Sequence, residues 1–90
     1  MKKTIVTLVG KDMVGIIAKV CTYFAENNIN ILDIAQTTVQ NYINMMMIVD
    51  TENYKRSFAD LTKELNKVGE EVGCIIKAQH EEIFDMMHRI

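Results

Sequence analysis

The residues best placed to do chemistry in this chain form one short stretch, Gly10, Lys11, Asp12, Met13, Val14 and Gly15. An apolar run precedes it and an amphipathic one follows, so the pattern predicts a strand-to-helix turn with two glycines. Amides at a helix start attract negative charge, and glycine lets another group approach closely. Several chemistries use such a turn, and each has a residue requirement. A Walker-type phosphate loop ends in Gly-Lys-Ser/Thr; Gly10 and Gly15 have the spacing, but Ile16 and Ile17 follow. A dinucleotide fingerprint needs a third glycine and a longer parallel sheet. An acylphosphatase-like loop needs an arginine, and here Lys11 is the turn's one cation, with Asp12 beside it to repel an anion. A copper or zinc carrier needs a Cys-x-x-Cys pair in this place. A turn of amides and glycines remains, suited to a small polar ligand whose carboxylate the amides can hold. The alternative is that Gly10 and Gly15 serve only backbone geometry and packing, while Asp12 caps the helix. Spacing alone does not choose between them.

Other candidates have blander accounts. His80 and His88 with Glu81 or Glu82 hold metal-ligand types, but two surface histidines explain them better, so no metal is expected. Glu81, Glu82 and Asp85 form an acidic cluster without a pocket, better explained by solvation than by acid–base work. Ser57 lacks an activating pattern, so no nucleophile–base pair is expected and the chain reads as non-catalytic. Met45 and Met47 read as core, and Met46 between them as an interface residue.

The elements that position the turn follow from periodicity. Residues 2–9 alternate as a first strand, with Val6 and Leu8 on one face and Ile5, Thr7 and Val9 on the other, and Gly10 stops it. Apolar on both faces near its end, it is expected to be central. Residues 14–27 form a helix whose stripe is Ile17, Cys21 and Phe24, widened by Val14, Val20 and Ala25. Asp12 is its expected N-cap, and Asn27 and Asn28 its stop. Residues 29–40 form a long second strand, Gln40 and Asn41 a hairpin turn, and residues 42–50 a third strand. Ile43, Met45, Met47 and Val49 face the core. Tyr42, Asn44, Met46 and Ile48 form an opposite face too apolar to be fully solvated, and are expected to meet a partner.

Thr51 or Asn53 is expected to cap a second helix running to Val72, with Phe58, Leu61, Leu65, Val68 and Val72 inward. Lys55, Arg56, Asp60, Lys63, Glu64 and Lys67 lie off that stripe and are read as solvated. Gly73 suits the position after the helix. Residues 74–79 form a fourth strand and residues 81–90 a short terminal helix. Two right-handed β-α-β units joined by a hairpin give an α+β, ferredoxin-like βαββαβ sandwich. Its four-stranded antiparallel sheet carries both helices on one face. A nucleic-acid reader of this fold needs aromatics on its two central strands; the first has none and the third only Tyr42.

Gly10-Lys11-Asp12-Met13-Val14-Gly15-Ile16, then Val20, then Ala25-Glu26-Asn27-Asn28-Ile29-Asn30-Ile31-Leu32-Asp33 resembles the ACT-domain signature. The tail from His80 to Ile90 resembles that of the short free-standing UPF0237 proteins. The resemblance spans nearly all of residues 1–90, which are expected to form a single ACT domain. It implies a regulatory module, of a kind commonly attached to enzymes of amino-acid metabolism, binding an amino acid between paired domains. Ligand contacts would come from Gly10, Lys11, Asp12, Met13, Val14 and Gly15 of one chain and from Asn30, Ile31 and Leu32 of its partner. Serine-sensing members carry a histidine and an asparagine where this chain has Gly10 and Asp12. That departure argues against serine, and Asp12 instead suits a ligand's ammonium group.

Totals set the remaining bounds. Ninety residues bury roughly 60–65% of their unfolded surface, enough for a two-layer core with little surplus. A homodimer or higher homo-oligomer that hides more apolar surface is therefore expected. A net charge of −2 argues against general nucleic-acid binding. The apolar run after Lys2 and Lys3 is too short for a signal peptide, and no stretch approaches a membrane span. Cys21 and Cys74 sit singly in apolar contexts, which suits reduced residues of a cytoplasmic protein. The expected function is a non-catalytic regulatory ACT module that binds a small amino acid or related metabolite at a dimer interface, with an enzyme as a possible partner and no cofactor. The alternative is an interaction module without a ligand, recruiting a protein through the Tyr42/Asn44/Met46/Ile48 face or a sheet edge.

Overall fold

The computed structural model describes residues 1–11 and 14–81. Within them lie β1 (Lys3–Lys11), α1 (Ile16–Glu26), β2 (Asn30–Val39), β3 (Tyr42–Asp50), α2 (Phe58–Val72) and β4 (Cys74–His80). Strict alternation makes β3 the best-defined strand: Ile43, Met45, Met47 and Val49 are buried, and Tyr42, Asn44 and Met46 are exposed. β3 pairs antiparallel with β1, placing Val6 beside Met47 and Leu8 beside Met45. β4 joins the other side of β1, and β2 the other side of β3, giving the order β2-β3-β1-β4. The expected βαββαβ order is present and β1 is central, as its two apolar faces suggested.

The core lies between this sheet and both helices. Val6, Leu8, Met45, Met47 and Ile76 pack with Val20 and Phe24 of α1 and with Leu61 and Leu65 of α2. The β2–β3 hairpin is a two-residue loop in which Gln40 and Asn41 both have positive φ. That handedness matches the twist of the flanking strands, and asparagine tolerates it. Gly73 ends α2 in the left-handed region, and Asn27 with Asn28 ends α1, both as expected.

Three boundaries and one helix face differ from the sequence reading. β1 runs through Gly10 to Lys11, because Gly10 is a ladder position flanked by Ile43 and Cys74. A methyl group there would sit 2.6 Å from Cys74 Sγ and 3.0 Å from its Cα, so glycine is needed for close approach. Second, α1 is capped at Gly15, whose φ is 91°, in place of Asp12. Third, the buried row of α1 is Ile16, Val20 and Phe24, with Ile17, Val14 and Ala25 exposed and Cys21 half-buried. With the helix starting at Ile16, the next residue is turned by about 100° toward solvent. Fourth, α2 is capped by Ser57, not by Thr51 or Asn53. The Asp60 amide donates to Ser57 Oγ at 3.1 Å and the Ser57 amide to Asp60 Oδ2 at 3.4 Å, a reciprocal capping box. Thr51 instead extends the β1–β3 ladder, its amide donating to the Lys2 carbonyl at 2.8 Å. The expected terminal helix lies outside the described residues beyond Glu81.

The displaced row of α1 gives a direct test. Ile16→Ala is expected to cost about 2–5 kcal/mol through loss of burial and the cavity left behind. Ile17→Ala is expected to cost under about 1 kcal/mol. Urea unfolding midpoints of the two variants check the order, and equal costs would return the stripe to Ile17.

Candidate functional site

The first turn joins the end of β1 to the start of α1. Lys11 is exposed and lies opposite Tyr42, while Gly10 is held between β3 and β4. Asp12 and Met13 lie outside the described residues, so their expected ligand roles have no geometry here. Val14 is fully exposed. Gly15 has left-handed backbone with nothing within 4 Å of where a side chain would start. Its glycine is therefore a matter of conformation, not of packing. Gly15 offers no side-chain acceptor, so the first-turn amides of α1 are donors for whatever sits over the turn. The Gly15 carbonyl already accepts the first helical bond, from the Lys19 amide at 2.9 Å.

Asn30, Ile31 and Leu32 begin β2, and the register puts them far from the turn. Asn30 lies opposite Asp50, which also lies opposite Lys3, whereas the turn leaves the sheet beside Tyr42. Lys3 to Lys11 spans the strand, so the two ends are roughly 27 Å apart. One chain does not bring the two groups of candidate residues together. Asn30 is exposed, Ile31 is half-buried opposite Val49, and Leu32 sits at an irregularity in the β2–β3 ladder, 37% exposed. β2 is an edge strand, and apolar Leu32, Ile34 and Val39 all reach solvent along it. An edge of this kind offers unpaired backbone groups to a further strand.

Tyr42, Asn44, Met46 and Ile48 share the sheet face turned away from the helices, with Ile48 half-buried and the others exposed. Val9 and Ile75, side by side on the same face, are exposed as well. The face is broader than β3 alone suggested. His80 is exposed and stacks on Phe58, ring centroids 3.9 Å apart. The described residues hold no cluster of three metal-ligating side chains; His88 and Glu82 lie outside them. Both cysteines are free and half-buried, and burial pushes the Cys74 thiol up.

Sequence reasoning missed one polar centre. Glu64, read as solvated, accepts from the Tyr23 hydroxyl at 2.6 Å and the Tyr54 hydroxyl at 2.8 Å on one oxygen. Its other oxygen accepts from an Arg56 guanidinium nitrogen at 2.7 Å. Arg56 also pairs with Asp60 at 3.7 Å, so the loop before α2 is tied to both helices through one carboxylate. The Tyr23 bond, aided by Tyr54 and Arg56, holds the Glu64 carboxyl below its usual range. Burial first, then the bond to Glu64, pushes the Tyr23 hydroxyl far up. The partners stand 41, 10 and 8 residues away in sequence. The four-residue steps Arg56, Asp60 and Glu64 were the one signal available.

A carboxyl whose folded pKa lies below its unfolded one contributes stability that is full above the unfolded value and is lost as pH falls through the folded value. Glu64→Gln is therefore expected to cost about 1–2 kcal/mol at neutral pH. The gap from the unsubstituted chain should close as pH falls below about 4.3, the usual glutamate value. Urea unfolding across pH 3 to 7 checks this, and a pH-independent gap would remove the ionic role.

Against known proteins, an ACT-domain family model matches residues 2–79. A UPF0237 protein of Bifidobacterium longum is 51% identical over 90 residues, with 100% of each chain covered. A UPF0237 protein of Methanocaldococcus jannaschii is 50% identical over the same span, again with 100% of each covered. Among solved structures, an ACT domain protein from Streptococcus pneumoniae superposes with a TM-score of 0.81 at 38% identity, over 92% of this chain and 93% of that one.

Proposed function

Because the chain belongs to the ACT-domain family, within its UPF0237 group, we propose that it is a non-catalytic regulatory module that binds a small amino acid or related metabolite between two copies of itself. The sheet register is the observation that carries this reading. Gly10 and Lys11, where the first turn leaves the sheet, and Asn30 to Leu32 sit at opposite ends of that sheet, so no small ligand touches both within a chain. Antiparallel pairing of β2 with the β2 of a second copy reverses that geometry. It sets the partner's strand start beside this chain's Val39 and Tyr42, the end from which the first turn leaves. The first-turn amides of α1 would then hold the ligand carboxylate, Gly15 would let it approach, and Asp12 would meet its ammonium group. Gly10, Lys11, Met13 and Val14 complete one wall, with Asn30, Ile31 and Leu32 of the second copy facing them.

The second reading is an interaction module without a ligand. The exposed Tyr42, Met46, Val9 and Ile75 on the outer sheet face favour it, with Asn44 and Ile48 completing a surface that would recruit another protein, such as an enzyme of amino-acid metabolism.

Thermal melting against the twenty amino acids, with mass in solution recorded alongside, separates the two. A ligand at one hundred times its dissociation constant should stabilise the fold by roughly 2.7 kcal/mol. Asn30→Ala is expected to remove that gain while the dimer mass persists. A dimer that responds to none of the amino acids would favour the second reading.

A further inference from the structure

Away from the first turn, the start of β1, the loop before α2 and the end of β4 enclose a cleft of about 510 Å³. That volume is within the range of small-molecule sites. Among the described residues, the charges lining it are positive apart from Glu81: the terminal ammonium of Met1, Lys2, Lys3 and Arg56. This concentration stands on a chain whose net charge is −2. Met1 is paired with Glu52, and Arg56 with Asp60 and Glu64. Lys2 and Lys3 have no ion-pair partner among the described residues.

The cleft also has hydroxyls with spare capacity. Thr4 is 2% exposed, and its Oγ lies 3.5 Å from Thr51 Oγ, the long limit of a hydrogen bond. Thr51 Oγ donates to the Lys2 carbonyl at a similarly long 3.4 Å. A shorter acceptor placed in the cleft would improve on both contacts. Apolar surface comes from Phe58 and Leu61, with His80 stacked on the Phe58 ring as a flat wall.

We infer that this cleft is a binding site for a small organic anion, with a carboxylate or phosphate head between Lys2 and Thr4, Lys3 adding positive charge at the rim, and an apolar body against Phe58 and Leu61. None of these residues belongs to the first turn or to the start of β2, so the site is separate from the one proposed above. The cations attract the head, and their exposure makes binding salt-dependent. The aromatic wall selects anions with a flat or apolar body over inorganic phosphate.

Phenyl phosphate and benzoate, titrated into the isotope-labelled full chain and followed by amide chemical shifts, are suitable probes, with benzyl alcohol as the neutral control. Saturable shifts are expected at Thr4, Thr51 and Phe58, leaving Gly15 and Asn30 unmoved. Whichever anion binds more tightly assigns the head as phosphate or carboxylate. Lys2→Ser with Lys3→Ser is expected to weaken binding roughly tenfold, as loss of two exposed ionic contacts should. Both lysines are exposed, so the double variant should keep its fold, and an unchanged spectrum without ligand verifies that. No saturable shift up to about 10 mM, far weaker than a metabolite site needs, would overturn the inference. So would equal binding of benzyl alcohol or undiminished binding by the folded double variant.

Discussion

The antiparallel pairing of β1 with β3 is the constraint on which the remaining structure depends. It sets Val6 against Met47 and Leu8 against Met45, so one face of the two central strands is continuously apolar. Because side chains alternate at a period of two, a slip of one residue would turn that whole face to solvent. Both helices then have a single surface on which to bury Val20, Phe24, Leu61 and Leu65. The same register decides where everything else lies. It fixes Gly10 as the ladder position tight against Cys74, and leaves β2 and β4 as the edges.

Much of this was legible because it rests on local pattern. β3 could be read to the residue, since Ile43, Met45, Met47 and Val49 alternate without interruption and Gln40 with Asn41 suits a two-residue turn. Helix starts were harder for a physical reason. Thr51, Asn53 and Ser57 are all capping residue types, and the choice fell to Ser57 because Asp60 stands three residues on to complete the box. At α1, Ile16 and Ile17 are equally apolar neighbours, so periodicity alone left the inward row uncertain by one position. The Gly15 cap decides it. What remained illegible is long-range. Tyr23 reaches Glu64 across 41 residues, from α1 to α2, and the four-residue steps Arg56, Asp60 and Glu64 point only to the local half of that centre.

The candidate ligand turn shows the same division. Its glycines were visible in the sequence, but their roles differ in kind. Gly10 answers to packing, since even a methyl group would strike the Cys74 sulfur and crowd its Cα. Gly15 has open space around it and answers to conformation alone. So one half of the purely structural reading holds at Gly10. At Gly15 the left-handed cap leaves α1 without a side-chain acceptor at its N-cap. A conventional Ser or Asp cap would have satisfied those amides internally. No side chain among the described residues caps those amides, and that makes the turn a candidate for holding a carboxylate.

The position of β2 connects this turn to assembly. Nine of its ten residues are exposed in the single chain, including Leu32, Ile34 and Val39. An edge strand this apolar is an aggregation hazard unless something pairs with it. Lysine is absent from it, and Asp33 is its one charged residue, so charge does little to block pairing. A second copy added in antiparallel sense would satisfy the edge and cover those side chains. It would also bring the partner's Asn30 beside Val39, at the end of the sheet from which the first turn leaves two strands away. A parallel addition would leave Asn30 at the far end, beside its own Asp50. Strand direction at one edge therefore decides whether the two halves of the candidate site ever meet, and ligand binding and dimer geometry become a single question.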